Sequence, residues 1–276
     1  MNIIDLTEEY RRYIQDDRDV AKYIESNTQL FAHYFRFWTV SKKNFPTLLS
    51  KDEMHKRRNL LNARLKYIEG FFKKAGLILP DPALIVFVGK GVSNGHAYKV
   101  GRHFMAWICL EAYSSQSQID VFVTHELVHA LHYSYNPNFY FKNKIEKEDV
   151  VRQIITEGIA TYVSKKLLGV TNGEVLWADY LDRTTIASWL RKCRKGEDKI
   201  KMAALEDIKC SRNSSLFLAN NPLDILEYRA GYYLGFTFIS DLAVAEKYSV
   251  QQLLALPRSF LEKRLHVFLK SASDEY

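Results

Sequence analysis

The sequence predicts a mostly helical α+β fold with one small sheet placed just before a central helix. Apolar residues recur at helical spacing along much of the chain, and two short apolar runs at 83–88 and 103–111 have strand composition. The chain has 276 residues, of which 47% are hydrophobic and 26% charged, so it can bury a large core. Disordered and fibrous classes are therefore excluded.

The first eighty residues are predicted to be helical, with apolar positions at helical spacing through residues 60–72. Ser50 and Glu53 have the spacing of a capping box before this run, and Gly76 predicts its end. Pro80 and Pro82 then break the pattern. We expect a boundary there, between an N-terminal helical region (1–80) and a second domain (81–276).

After the strand at 83–88, four of the twelve glycines fall within residues 89–101, which predicts a loop. A second strand is expected at 103–111. Ser117 is then expected to cap a helix that runs through Leu131 and ends near Asn136.

Helices are predicted over the rest of the chain. One helix is expected over 146–168, with Gly169 at its end, and the next is expected to begin with a capping box at Thr171. A long helix is expected to begin at Asp224, and a last helical section at Ser249.

Composition also limits the partners of the protein. The net charge of +7 is concentrated in residues 42–74 and 191–212, but neither segment carries a nucleic-acid-binding motif, so a nucleic-acid partner is only an alternative. No apolar run approaches the ~20 residues of a membrane-spanning helix, and no secretory signal is visible. The default expectation is a cytoplasmic protein, although export without a signal would leave no trace in the sequence. The oligomeric state is not indicated.

The three cysteines show no close pairing motif, which argues against a disulfide scaffold and against a cysteine-based zinc site.

The central helix carries His125, Glu126 and His129 in the pattern HExxH. Residues four apart lie on one helix face, so the two imidazoles can bind one zinc ion, and Glu126 can act as general base for a water molecule. The spacing arises by chance in roughly one chain in a hundred, before a helical setting is required.

A catalytic zinc usually has three protein ligands. His132 lies ~10.5 Å along the helix axis from His125, too far to share one ion comfortably, so we expect it to support the ligands or the packing. The metzincin pattern requires glycine at position 132 and histidine at position 135, where this chain has His132 and Tyr135.

The remaining source is Glu157, an acid in an otherwise apolar stretch of the following helix. A buried carboxylate is costly unless it is paired or bound to a metal. Gly158 beside it weakens the helix by ~1 kcal/mol relative to alanine, which indicates a close backbone approach. We therefore favour Glu157 as the third ligand. The alternative is that it is an exposed glutamate on the helix surface.

On these residues the chain resembles the gluzincin branch of the zincin metallopeptidases. It is more narrowly similar to bacterial predicted zinc-dependent proteases, in which a strand precedes HExxH, a Glu-Gly-x-Ala segment follows, and a Gly-Tyr-x-x-Gly helix comes later. The matching residues are His125, Glu126, His129, 157–160 and 231–235. The resemblance covers roughly residues 84–245.

The resemblance implies a zincin-like fold and a strand near Ala106, Trp107 and Ile108 that pairs with an extended peptide. Many gluzincins carry an aspartate four residues after the ligand glutamate, where it orients a zinc-bound histidine. This chain has Thr161 there, so either its hydroxyl or another acid such as Asp149 would take that role.

Peptide hydrolysis also needs a donor that stabilises the developing oxyanion. We favour Tyr232 for this role, then Tyr233, then Arg229; core packing is the alternative for all three.

Together these residues predict a zinc-dependent peptidase with a peptide or protein substrate. The chain lacks the Gly-x-Met-Glu-Asn signature of many gluzincin aminopeptidases, which favours an endopeptidase. The alternatives are a catalytically inactive zinc-containing binding or scaffold protein, a basic nucleic-acid-binding protein, and a zinc hydrolase acting on a non-peptide amide.

Overall fold

The computed structural model describes residues 1–39, 43–210 and 214–271. These residues are mostly helical and include one small mixed sheet, as the sequence predicts. The chain forms two compact units, 1–134 and 135–276. The boundary expected near residue 80 therefore lies inside the first unit.

The sheet belongs to the first unit. Its strands are β1 (Ile3–Asp5), β2 (Leu84–Phe87), β3 (Gly95–Val100) and β4 (His103–Cys109). Their order is β1-β2-β4-β3; β2 is parallel to both β1 and β4, and β3 is antiparallel to β4.

Two of these strands correct the sequence prediction. β1 lies in the region expected to be entirely helical; with three residues it is too short to show a period, and it forms only by pairing with β2. β3 lies in the glycine-rich segment expected to be a loop. A tight turn at Gly101, which has a φ of +59°, folds β3 back on β4, so the glycines that suggested a loop include the turn of a hairpin.

Six α-helices of the described residues begin in the first unit. They are α1 (Thr7–Tyr10), α2 (Val20–Glu25), α3 (Thr28–Phe37), α4 (Lys51–Lys74), α5 (Gln116–Gln118) and α6 (Thr124–Tyr135), with π-helical turns at Arg11–Asp16 and Ile119–Val123. α4 confirms its predicted start, because the Ser50 hydroxyl accepts a hydrogen bond from the Glu53 N–H. Ser115, not Ser117, caps the start of α5.

The N-terminal helices share their core with the sheet. The ring of Tyr34 packs edge-on against Phe87 and Trp107, with centroids 5.3 and 5.6 Å apart. The hydroxyl of Tyr23 donates to the carbonyl of Val88 and accepts from its N–H. Residues 1–80 thus complete the first unit, and the proline pair marks a turn within it.

The second unit is helical throughout its described residues apart from loops, short 3₁₀ turns and one isolated β-bridge. Its helices are α7 (Lys144–Lys147), α8 (Val150–Leu168), α9 (Asn172–Trp177), α10 (Arg183–Lys195), α11 (Glu197–Cys210), α12 (Ala230–Ala245), α13 (Val250–Leu254) and α14 (Arg258–Lys270). Gly169 ends α8 in the left-handed conformation, and the capping boxes at Thr171 and Ser249 are present, as predicted.

Two helix starts differ from the prediction. The helix expected over 146–168 is interrupted before Val150, because Asp149 caps a new helix by accepting the Arg152 N–H. The long helix expected from Asp224 begins at Ala230 instead. Asp224 accepts the Leu226 N–H and so caps only a 3₁₀ turn.

α8 and α12 are in backbone contact at the centre of the second unit. A Cβ added to Gly158 would overlap the carbonyl of Gly235, and one added to Gly235 would overlap the carbonyl of Ile154. This confirms that Gly158 serves a close approach between helices.

No helix among the described residues is long and apolar enough to cross a membrane.

Candidate metal centre

His125 and His129 face each other on α6. Their Nε2 atoms are 3.1 Å apart, and both side chains are buried. Two nitrogens that each lie at the zinc–nitrogen bond length from one tetrahedral ion are about 3.3 Å apart. The observed separation therefore fits shared coordination of one zinc ion.

α4 anchors the segment that leads into α6. Arg64 of α4 makes a two-pronged ion pair with Asp120, with Nε–Oδ1 and Nη2–Oδ2 distances of 2.8 and 2.7 Å. Asp120 lies on the π-helical turn that runs directly into α6. Because bidentate pairs fix orientation as well as distance, this contact restricts where the histidine helix begins.

Glu126 lies beneath β3 and is 5% exposed. A Cβ on Gly95 would lie 2.7 Å from Cγ of Glu126 and 2.7 Å from the carbonyl oxygen of Trp107. Gly95 thus leaves the room that the Glu126 side chain occupies. The sequence showed this glycine only as part of a loop.

Two further buried histidines lie near the pair. The ring centroid of His96 on β3 is 5.5 Å from that of His129, a neighbour that sequence reasoning missed because no strand was expected there. A strand prediction for residues 95–100 would have indicated His96 as a neighbour of the motif helix. His132 is fully buried and stacks on Tyr133, with centroids 5.9 Å apart.

Glu157 lies on α8 and is partly buried. Ligand atoms of His125, His129 and Glu157 all lie within 4.8 Å of one another, a group that can hold a metal ion. Two imidazoles and one carboxylate form a donor set typical of catalytic zinc. Neither His132 nor His96 is part of this group.

Arg229 precedes α12 and is surrounded by aromatic rings. Its guanidinium carbon lies 4.8 Å from the ring centroid of Trp177 and 4.4 Å from that of Tyr232. Burial lowers the pKa of Arg229, while interactions with Tyr232 and Glu157 act in the opposite direction. Within the second unit, this cation therefore interacts electrostatically with both Tyr232 and Glu157.

Tyr233 has a different environment. It is buried, and its hydroxyl donates to Oε2 of Glu197 at 3.0 Å. Of the three oxyanion candidates, Tyr233 is thus already engaged with Glu197.

The residues expected to bind substrate, Ala106, Trp107 and Ile108, lie on β4, which pairs with β2 on one side and with β3 on the other. A strand that is paired on both sides has no edge to offer a peptide. Among the described strands, β3 is the outer one on this side of the sheet. Ala106, Trp107 and Ile108 therefore lack the free edge that strand pairing with a peptide needs.

The two residues expected to orient a ligand histidine lie at different positions along α8. Thr161 is buried one turn after Glu157. Asp149 caps the start of the helix and pairs with Arg258 at 3.1 Å, so its carboxylate is held there.

A family model described as "Predicted Zn-dependent protease (DUF2268)" matches residues 62–262, which is 201 of the 276 residues. The chain belongs to this family. The matched range contains both histidines, Glu126, Glu157 and the whole of α12. The description of the family names zinc and proteolysis as a prediction, so it agrees with the donor set without establishing the reaction.

No curated protein and no solved structure matches the chain significantly.

Proposed function

We propose that the protein is a zinc-dependent peptidase, with His125, His129 and Glu157 as ligands and Glu126 as general base. The observation that carries the proposal is the pair of facing Nε2 atoms within a group whose ligand atoms all lie within 4.8 Å. Membership of a family described as predicted zinc-dependent proteases supports it independently.

Bound zinc would supply a Lewis acid that polarises the substrate carbonyl and acidifies water. Glu126 would accept the proton of the attacking water and return it to the leaving amine. Burial of Glu126 keeps bulk water from competing for that proton. Tyr232 or Arg229 would donate a hydrogen bond to the oxyanion as it develops.

The outer strand β3 is the proposed docking edge for the substrate. An extended peptide adds to a sheet edge through backbone hydrogen bonds, which do not depend on sequence. Gly95 places this edge directly beside Glu126. The proposal is for an endopeptidase, because the chain lacks the Gly-x-Met-Glu-Asn signature of many gluzincin aminopeptidases.

The central test replaces the base and a ligand separately. Glu126→Gln should keep bound zinc while turnover falls by a factor of about 10²–10⁴, because only the proton acceptor is lost. His129→Ala should lose both zinc and turnover. Elemental analysis measures the metal, and mass spectrometry of a digested peptide library measures hydrolysis.

Glu25→Gln is a matched control, because Glu25 is an exposed acid on α2. It should leave both readouts unchanged. A glutamine variant at position 126 that cleaves peptides at the wild-type rate would contradict the mechanism. Wild-type protein that binds one zinc and cleaves no peptide would instead identify a zinc-containing binding protein.

A chelator gives a second, reversible test. Removing zinc should abolish hydrolysis and lower the melting temperature, since a ligand that binds only the folded state stabilises it. Zinc, but not magnesium, should restore both, because two imidazoles and one carboxylate suit zinc.

A further inference from the structure

The first unit has an open cavity of about 1130 Å³ on its surface. Its walls are formed by side chains from residues 10–20 and 44–51 and by Lys90. No residue of the proposed metal centre lines it. The proposed function therefore leaves this cavity without a role.

Large apolar side chains line the cavity. Ile14, Phe45 and Leu49 are buried, whereas Leu48 is 82% exposed and Val20 is 36% exposed. Single exposed apolar residues are ordinary on protein surfaces, but apolar side chains that line the same concavity are typical of ligand sites. The wall can therefore cover the apolar part of a ligand.

The backbone of this wall is held in place by hydrogen bonds. The hydroxyl of Tyr10 donates to the carbonyl of Thr47 and accepts from the N–H of Leu49, each at 2.9 Å. The side-chain amide of Gln15 donates to the carbonyl of Leu49 at 2.8 Å. The N–H of Thr47 donates to the carbonyl of Gly89 at 2.7 Å. A wall that is fixed before a ligand arrives loses little conformational entropy on binding, so the cavity is preorganised.

The cavity lining carries three cations and no acid. The cations are Arg18, Lys51 and Lys90. Lys51 is already paired, with its Nζ 2.9 Å from Oδ1 of Asp16. Arg18 is exposed, and its guanidinium makes no hydrogen bond and no ion pair with any described residue. Arg18 therefore keeps its N–H donors available for an anionic ligand.

Size and charge together favour an anionic chain over a small anion. Pockets that enclose drug-sized ligands measure ~300–1,000 Å³, so an open cavity of about 1130 Å³ has room for a longer ligand. The three cations belong to three separate stretches of the chain. A ligand with a single carboxylate, such as a fatty acid, would engage only part of this lining.

A nucleic acid fits the lining less well. Its phosphates would suit the cations, but single-stranded bases bind by stacking on aromatic side chains. The two aromatic residues of the lining, Tyr10 and Phe45, are only 0% and 5% exposed. The exposed apolar part of the wall is aliphatic, which suits leucine, isoleucine or valine side chains.

We propose that this cavity binds a segment of a partner protein in which aspartate or glutamate residues are interspersed with large aliphatic residues. The carboxylates would pair with Arg18, Lys51 and Lys90, and the aliphatic side chains would lie against Leu48. Arginine binds a carboxylate through two parallel hydrogen bonds, so Arg18 is expected to contribute most to the selection of acidic residues. The proposal goes beyond the proposed function, because it involves no residue of the metal centre.

The first experiment screens the whole chain against an array of random octapeptides. Bound peptides should be enriched in aspartate and glutamate together with leucine, isoleucine and valine, and depleted in lysine and arginine. The strongest binders are resynthesised, their Kd values are measured by fluorescence anisotropy, and mass spectrometry confirms that they stay intact. Raising NaCl from about 50 to about 200 mM should raise Kd at least about threefold, because salt screens the attraction.

Two variants with matched controls locate the binding. Arg18→Glu should raise Kd by roughly tenfold or more, whereas Lys66→Glu, the same charge reversal at an exposed residue of α4 outside the cavity, should change it by no more than about twofold. Leu48→Asn should raise Kd about fivefold through the loss of apolar contact. Ile78→Asn is its control, because Ile78 is 86% exposed and does not line the cavity. Melting curves confirm that each variant is folded.

A peptide array without this enrichment would overturn the proposal, and so would binding that Arg18→Glu and Leu48→Asn leave unchanged. Sodium oleate and a short DNA duplex serve as rival probes. Arg18-dependent binding of either one, in place of peptide binding, would likewise overturn the proposal by assigning the cavity to a lipid or to a nucleic acid. Zinc content and hydrolysis test the proposed function separately from all of these outcomes.

Discussion

Glu126 and Glu157 both lie beside a glycine, but the two glycines act differently. Gly95 on β3 faces Glu126 and leaves space for its side chain. Gly158 follows Glu157 on its own helix and allows the backbones of α8 and α12 to touch. The first glycine therefore accommodates a neighbouring side chain, and the second determines the distance between two helices.

Neighbouring small residues are therefore not equivalent supports for these two carboxylates. Adding a methyl group at position 95 acts mainly on one side chain and one strand carbonyl. Adding it at position 158 acts on two helix backbones, which no side-chain rotation can relieve.

The largest effect is therefore expected for Gly158→Ala. The new methyl group would overlap the Gly235 carbonyl, so α8 and α12 must separate and lose packing around the contact. We expect the free energy of unfolding to fall by roughly 3 kcal/mol, measured by urea denaturation. An unchanged midpoint would show that the two helices can shift without cost.

Gly95→Ala should affect turnover more than metal binding. The methyl group would displace Glu126 and press on the Trp107 carbonyl, while both histidines stay on α6. A displacement of about 1 Å costs roughly 100-fold in rate. Zinc content near that of wild type with this loss of kcat would support the comparison; simultaneous loss of zinc would contradict it.

Gly70→Ala is the comparison variant, because no close contact requires a glycine at this position. Apart from the backbone of α4 itself, no atom of the described residues lies within 4 Å of a Cβ added to Gly70. Because glycine costs a helix interior ~1 kcal/mol relative to alanine, this variant should be more stable by up to that amount. Thermal unfolding measures it, and a lower melting temperature would show that space alone does not decide the effect of a methyl group.

Thiol labelling separates the responses of the two units. Burial raises the pKa of Cys109 well above its usual value and that of Cys193 to about 12, which lowers their reactive thiolate fraction. Cys210 is exposed. At pH 8 only Cys210 should react rapidly in the native protein, while Gly158→Ala should accelerate labelling of Cys193 and Gly95→Ala that of Cys109. Identical labelling in all three proteins would contradict this separation.

Local signals in the sequence predicted much of the helical structure. The start of α4 at Ser50, the capping boxes at Thr171 and Ser249, and the end of α8 at Gly169 each depend on contacts within a few residues. The spacing of His125 and His129 is equally local, so their shared face followed from helix geometry.

Features that depend on distant partners were not predictable in the same way. β1 is a strand only because β2 pairs with it, and β3 was hidden by the glycines that its hairpin requires. Without β3, the outer edge of the sheet was placed on β4, where Ala106, Trp107 and Ile108 are paired on both sides. The neighbours of the proposed base and ligand, Gly95 and His96, were missed for the same reason.

The parallel pairing of β1 with β2 also has a consequence for how the chain folds. Ile3 is aligned with Leu84, 81 positions away in sequence, whereas the β3–β4 hairpin closes across a turn of two residues. Closing a long loop costs chain entropy before any contact stabilises it, so the hairpin should form early and β1 should join late. During synthesis, β1 can pair only after β2 has left the ribosome.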